Sequence, residues 1–171
     1  AFKIATLISL ILFVVNTISG PKFSELYWAG KHKELQDTLD HSSKLIFISS
    51  LSIAIIFYIL SKTLLSIFGE EFIVGDTALI LLITGQLMYS VSGSAGVFLN
   101  MIGRQLALRN IIVVVVSITI LLDYFLIPIY GMNGAAFTFI IGAIILNLSM
   151  VIYIKKLNYR AFYIPFQRSN R

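Results

Sequence analysis

At about 100° per residue, Gln86, Ser90, Gly93, Val97, Asn100 and Arg104 fall within roughly 40° of one helical line, with Tyr89 just beside it. Amide, hydroxyl and phenol groups along one face of an apolar run have two chemical uses. They can line a water-accessible cavity that meets a polar solute, or they can hydrogen-bond a neighbouring helix across a tight seam. Under the first use Gln86, Tyr89, Ser90, Asn100 and Arg104 are candidate cavity-lining residues, joined by Asn16 of an earlier run. Under the second, the small residues Ser92-Gly93-Ser94-Ala95-Gly96 let two backbones approach closely. Arg104 has the planar fork that matches phosphate, and it is equally placed to reach lipid headgroups. Asp123, one turn beyond Thr119, is an acid inside an apolar run and a candidate proton or cation site; an interfacial carboxylate with water access is the plainer reading.

Conventional catalytic patterns are missing. There is no phosphate-cradling glycine loop, no Ser/His/Asp set and no HExxH pair, so no catalytic residue and no cofactor is assigned and no enzyme is expected. Cysteine is absent, and His32 and His41 share one polar segment where solvation explains them, so no metal site is assigned either.

The elements that must position these residues are apolar helices. Hydrophobic residues make up 58% of the 171 and charged residues 12%, too few charges to cover a water-facing surface. A bilayer core needs roughly 20 apolar residues per helix. The chain divides into five such runs, at about 1–20, 45–62, 77–102, 110–127 and 135–154, which together form a transmembrane bundle over 1–154. Pro21 is expected to break or bend the first, and Gly30 to stop a helix. Segment 21–44 reads as an amphipathic helix on the membrane surface that runs into the second span, with Asp37–His41 and Asp40–Lys44 pairs four residues apart. Pro128 to Gly134 reads as an uncharged turn, and Gly134, Thr138 and Gly142 as a helix-packing stripe. Residues 155–171 form a basic, aromatic tail carrying Tyr159, Phe162, Tyr163 and Phe166. A tail leaving a membrane helix is expected to lie on anionic lipid, not on nucleic acid.

Charge sets the orientation. With five spans, segment 21–44, the 103–109 loop and the tail share one side, which holds eleven of the thirteen Lys and Arg residues. That side is expected to be cytoplasmic, with the C-terminus inside and the acidic loop Glu70-Glu71-Asp76 outside.

Short motifs in a fixed order resemble a known family. Pro21-Lys22-Phe23-Ser24-Glu25-Leu26-Tyr27 with Gly30 and Lys33-Glu34-Leu35 is similar to the cytoplasmic end of a helix in bacterial polysaccharide export proteins. These belong to the multidrug/oligosaccharidyl-lipid/polysaccharide flippase superfamily. The resemblance continues through Leu64-Leu65-Ser66-Ile67-Phe68-Gly69-Glu70-Glu71-Phe72, Gly85-Gln86, Leu99-Asn100-Met101-Ile102-Gly103-Arg104 and Ile127-Pro128-Ile129-Tyr130-Gly131-Met132-Asn133-Gly134-Ala135-Ala136.

The resemblance implies an all-α integral membrane protein of the bacterial cytoplasmic membrane, with these helices forming most of the second lobe of a two-lobe flippase. The first lobe would then be a partner within a longer protein. It implies translocation of a polyprenyl-pyrophosphate-linked oligosaccharide for O-antigen, capsule or teichoic-type polymers, by alternating access. One departure is visible: no Lys or Arg lies mid-span, so pyrophosphate-binding charge would come from the other lobe or from Arg104 at the rim. Two other expectations stand beside this one. A cation-coupled multidrug antiporter of the same superfamily would use Asp123, and a non-transporting membrane scaffold or remnant would use none of these residues.

Overall fold

The computed structural model describes residues 5–67 and 69–160. Lys3 and the tail aromatics Phe162, Tyr163 and Phe166 lie outside the described residues. A turn of 3-10 helix at Thr6–Ile8 leads into α1 (Ser9–Trp28). Then come α2 (His32–Ile59), the short α3 (Ser61–Ser66), a second 3-10 segment at Glu70–Gly75, α4 (Asp76–Val91), α5 (Ala95–Met101), α6 (Gln105–Tyr130) and α7 (Met132–Lys156). The fold is all-α among the described residues, and five helical stretches are long and apolar enough to cross a membrane: Thr6–Trp28, His32–Ile59, Ile73–Val91, Gln105–Tyr130 and Met132–Lys156.

Three boundaries differ from the sequence expectations. Pro21 does not end the first helix, and Pro128 does not open a turn: both lie inside helices, α1 and α6. Proline removes one backbone hydrogen bond, and a long apolar helix with good bonds on either side tolerates that loss. Segment 21–44 runs into the second span, as expected, through the continuous helix His32–Ile59, but its first part, up to Trp28, continues the first helix. It is the facing ends of α1 and α2, which form a hairpin joined at Ala29–Lys31. Lys22 pairs with Glu25 at 2.9 Å and Lys31 with Glu34 at 3.3 Å, and His41 Nδ1 meets the Asp37 carbonyl instead of its carboxylate. The third difference is largest. Run 77–102 is two helices, α4 and α5, separated by Ser92-Gly93-Ser94.

Helix ends explain where the chain turns. At Gly30 (φ +71°) the Lys31 N–H donates to Leu26 O and the Gly30 N–H to Tyr27 O, the paired bonds that close a helix around a left-handed residue. The same pair of bonds recurs at Gly103 (φ +78°), where Arg104 N–H reaches Leu99 O, and at Asn158 (φ +63°), where Tyr159 N–H reaches Ile154 O. All three turns fall at one end of the bundle, called here the hairpin end.

Along the row of helices α1 packs on α2, α2 on α4, α4 on α7 and α7 on α6. Two apolar clusters fill the interior. Phe23, Leu35, Leu39, Phe98 and Ile154 belong to the one at the hairpin end; Ile8, Ala54, Leu79, Ile83 and Ala136 belong to the other. On each of α2, α4–α5 and α7, buried polar residues lie between the two clusters: Ser43 and Ser50, then Gln86, Ser90, Ser92 and Ser94, then Asn147. Small residues set the α6–α7 spacing. A Cβ on Gly142 would stand 2.7 Å from Thr119 Cγ2, and one on Gly134 would stand 2.4 Å from the Leu126 carbonyl oxygen. The sequence stripe Gly134, Thr138, Gly142 is therefore a helix contact.

After Asn158 the chain returns across the start of α2. Arg160 N–H donates to Gln36 Oε1 and Gln36 Nε2 donates back to Arg160 O, both at 2.8 Å. The Tyr159 hydroxyl lies 2.6 Å from His32 Nδ1, and its ring meets Phe98 edge-on at 5.2 Å. Burial, reinforced by Tyr27, pushes the Tyr159 phenol above its ordinary pKa, so it stays protonated at neutral pH. This strap ties α7 to the hairpin through residues 124 to 127 positions apart. Gln36→Leu removes both bonds to Arg160 and leaves the Tyr159–His32 contact, at about 1 kcal/mol net. Trypsin is expected to cut after Arg160 about fivefold faster in that variant; an unchanged rate would mean the strap is held by Tyr159 alone.

Candidate functional site

The residues singled out in the sequence go to three places. Gln86 and Ser90 are 6% and 0% exposed, inside the polar layer between the apolar clusters. The Ser90 hydroxyl donates to the Leu87 carbonyl at 2.8 Å. Asn100 and Arg104 are exposed at the hairpin end, Arg104 being the residue that follows the Gly103 turn. Asn16 is half-buried on α1, and its Oδ1 has no hydrogen-bond partner among the described residues. The line drawn through Gln86, Ser90, Asn100 and Arg104 is thus cut at Ser92–Ser94, and its two ends have opposite exposure.

Tyr89 and Asp123 are brought together. They line a cleft of about 540 Å³ between α4, α6 and α7. Its walls are otherwise mostly apolar, with Leu82, Val115, Phe139 and Leu146 among them, and the hydroxyl-bearing Thr119 and Thr138 add polarity. Asp123 Oδ1 is buried with no hydrogen-bond partner among the described residues. An acidic side chain bordering a mostly apolar cleft is a candidate contact for a cation or a polar solute. The Asp123 side chain also borders a shallower recess with Tyr124, Phe125 and Pro128, so it stands between two openings.

The helix break is the second arrangement, and its key residue, Asn147, lies with Ala136 and Ala143 on a stripe whose sequence pattern signals helix packing. Asn147 of α7 is 7% exposed and clamps the break. Its Nδ2 donates to the Met88 carbonyl, and its Oδ1 accepts from the Ser92 hydroxyl. Met88 O is one of the carbonyls that an ending helix leaves without a partner of its own, so a side chain from another helix satisfies it. The sequence signal for this was the Ser-Gly-Ser triplet inside an apolar run, which marks a break as well as a packing seam. Gly93 takes φ +53°, and a Cβ there would stand 2.6 Å from Ser43 Cα. Only glycine lets α2 and the break come this close. The hydroxyls of Ser43 and Ser94 beside it are buried with no partner among the described residues.

Among the described residues no three His, Asp or Glu side chains stand together as a metal site. No protein-family model, curated protein or solved structure matches this chain.

Proposed function

We propose that this chain is part of a multi-pass transporter of the cytoplasmic membrane, with the hairpin end in the cytoplasm. Its substrate, on this reading, is a polyprenyl-pyrophosphate-linked oligosaccharide moved from the inner to the outer leaflet by alternating access. The observation that carries the transport reading is Asp123, half-buried, with its Oδ1 unpartnered among the described residues, on a mostly apolar cleft between α4, α6 and α7. A carboxylate oxygen without a partner, facing apolar side chains, is a place where a passing cation or polar solute finds one. The substrate class rests on the ordered motifs from Pro21 to Ala136. The apolar walls suit the prenyl chain, which stays in hydrocarbon while the sugars cross in water. A second reading, a cation-coupled antiporter for lipophilic cations, is favoured by the same carboxyl lying beside Tyr89 and Phe139, whose ring faces attract cations.

Paired proteoliposome assays separate the two. One set carries a fluorescent polyprenyl-linked oligosaccharide, the other a cationic dye under a proton or sodium gradient. The expected result is movement of the lipid-linked sugar that depends on the gradient, slowed about tenfold by Asp123→Asn, equivalent to ~1.4 kcal/mol on the limiting step. Dye efflux without lipid movement, abolished by the same substitution, would establish the antiporter instead.

A further inference from the structure

The two halves of the chain carry charge differently at the hairpin end. The α1–α2 hairpin is balanced: Lys22, Lys31, Lys33 and Lys44 stand with Glu25, Glu34, Asp37 and Asp40. Two of those pairs are formed ion pairs. From Thr77 to the end of the sequence the one acidic residue is Asp123, at the opposite end of α6. The α6–α7 pair therefore brings Arg104, Arg109, Lys155 and Lys156 to the hairpin end with no carboxylate of its own to neutralise them. All four are exposed. Among the described residues none of them makes a side-chain ion pair, and Arg109 makes only a long 3.4 Å bond to Asn110. A further cation, Arg160, lies on the other side, beside Asp40.

Four uncompensated cations on two adjacent helix ends repel one another unless anions lie between them. What surrounds them says which anion. On α6 the line Leu106, Arg109, Val113, Val116, Ile120 is exposed throughout, and on α7 the line Ile144, Leu148, Ile152 ends at Lys155. Each helix thus offers cations at one end and an unbroken apolar stripe leading away from them. A free anion would use the charges and leave the stripes unmatched, whereas a lipid with an anionic headgroup matches both.

We propose that the α6–α7 pair is a docking surface for an anionic phospholipid of the inner leaflet, its phosphate held by Arg104, Arg109, Lys155 and Lys156 and its chains lying along the two stripes. This rests on the reading that the long helices cross the cytoplasmic membrane with the hairpin end inside.

The test is electron spin resonance on the full chain in phosphatidylcholine vesicles, with trace phosphatidylglycerol or trace phosphatidylcholine nitroxide-labelled near the chain terminus. The measured quantity is the fraction of each label that is motionally restricted by the protein. The expected result is a preference of about fivefold for phosphatidylglycerol. It should fall to near parity in R104Q/R109Q/K155Q/K156Q and persist when Lys22, Lys31 and Lys33 are changed to Gln. If the quadruple variant fails to fold, R104Q/R109Q and K155Q/K156Q separately should each lower the preference. Equal restriction of both lipids by the unaltered protein overturns the proposal, as does loss of the preference in the hairpin variant or on adding inorganic phosphate. No restricted component with either lipid means that the helices do not enter the bilayer, which defeats the membrane reading itself.

Discussion

Gly93→Ala is expected to cost the protein about 3 kcal/mol. Two terms add. An L-residue held at φ +53° loses about 1 kcal/mol against glycine, because its Cβ crowds the following carbonyl. The new methyl also lands 2.6 Å from Ser43 Cα, a backbone atom in the middle of a 28-residue helix. A flexible side chain would swing aside, but the α2 backbone cannot, and overpacking of this kind costs about 1–3 kcal/mol. Gly30→Ala isolates the first term: φ is +71° there and nothing lies within 4 Å of the added carbon. It should cost about 1 kcal/mol. The comparison is made by unfolding both variants in a denaturing-detergent titration. Equal losses in the two would show that α2 and the helix break do not touch as closely as the distance states.

The second large effect belongs to Asn147→Leu. The substitution keeps the volume and removes two bonds at once, leaving the Met88 carbonyl and the Ser92 hydroxyl buried among apolar side chains. Interhelical bonds in apolar surroundings are worth about 0.6–2 kcal/mol each, so the expected loss is ~2 kcal/mol. A double-mutant cycle assigns it. Ser92→Ala alone should cost about 1 kcal/mol, and almost nothing once Asn147 is already leucine. Additive losses would mean that the two residues act separately and that Asn147 does not hold the break.

The five apolar runs were legible in the sequence because hydrophobicity over 20 residues survives any detail of packing. Gly30 was legible as a stop because few other residues accept a left-handed turn. Gly103 carried the same signal, yet the periodic reading ran past it to Arg104. Periodicity assumes unbroken rotation at about 100° per residue. The Ser92–Ser94 break resets the phase, so Ser90 is buried while Asn100 and Arg104 are exposed. Pro21 and Pro128 misled in the opposite sense. Each costs a helix one bond, and the flanking turns hold the helix together through that loss. The cleft was not legible at all. Tyr89 and Asp123 are 34 positions apart on helices α4 and α6, and only the packing of both on α7 puts them on one wall.

The strap bears on the order in which the chain can be assembled. Each of its bonds joins a residue between His32 and Gln36 to Tyr159 or Arg160. During synthesis the hairpin and its helix-closing turn at Gly30 precede α7, so the partners that lock them emerge 124 to 127 residues later. Closure waits for residues 159 and 160, and a ribosome that stalls before them leaves the helices without their clasp.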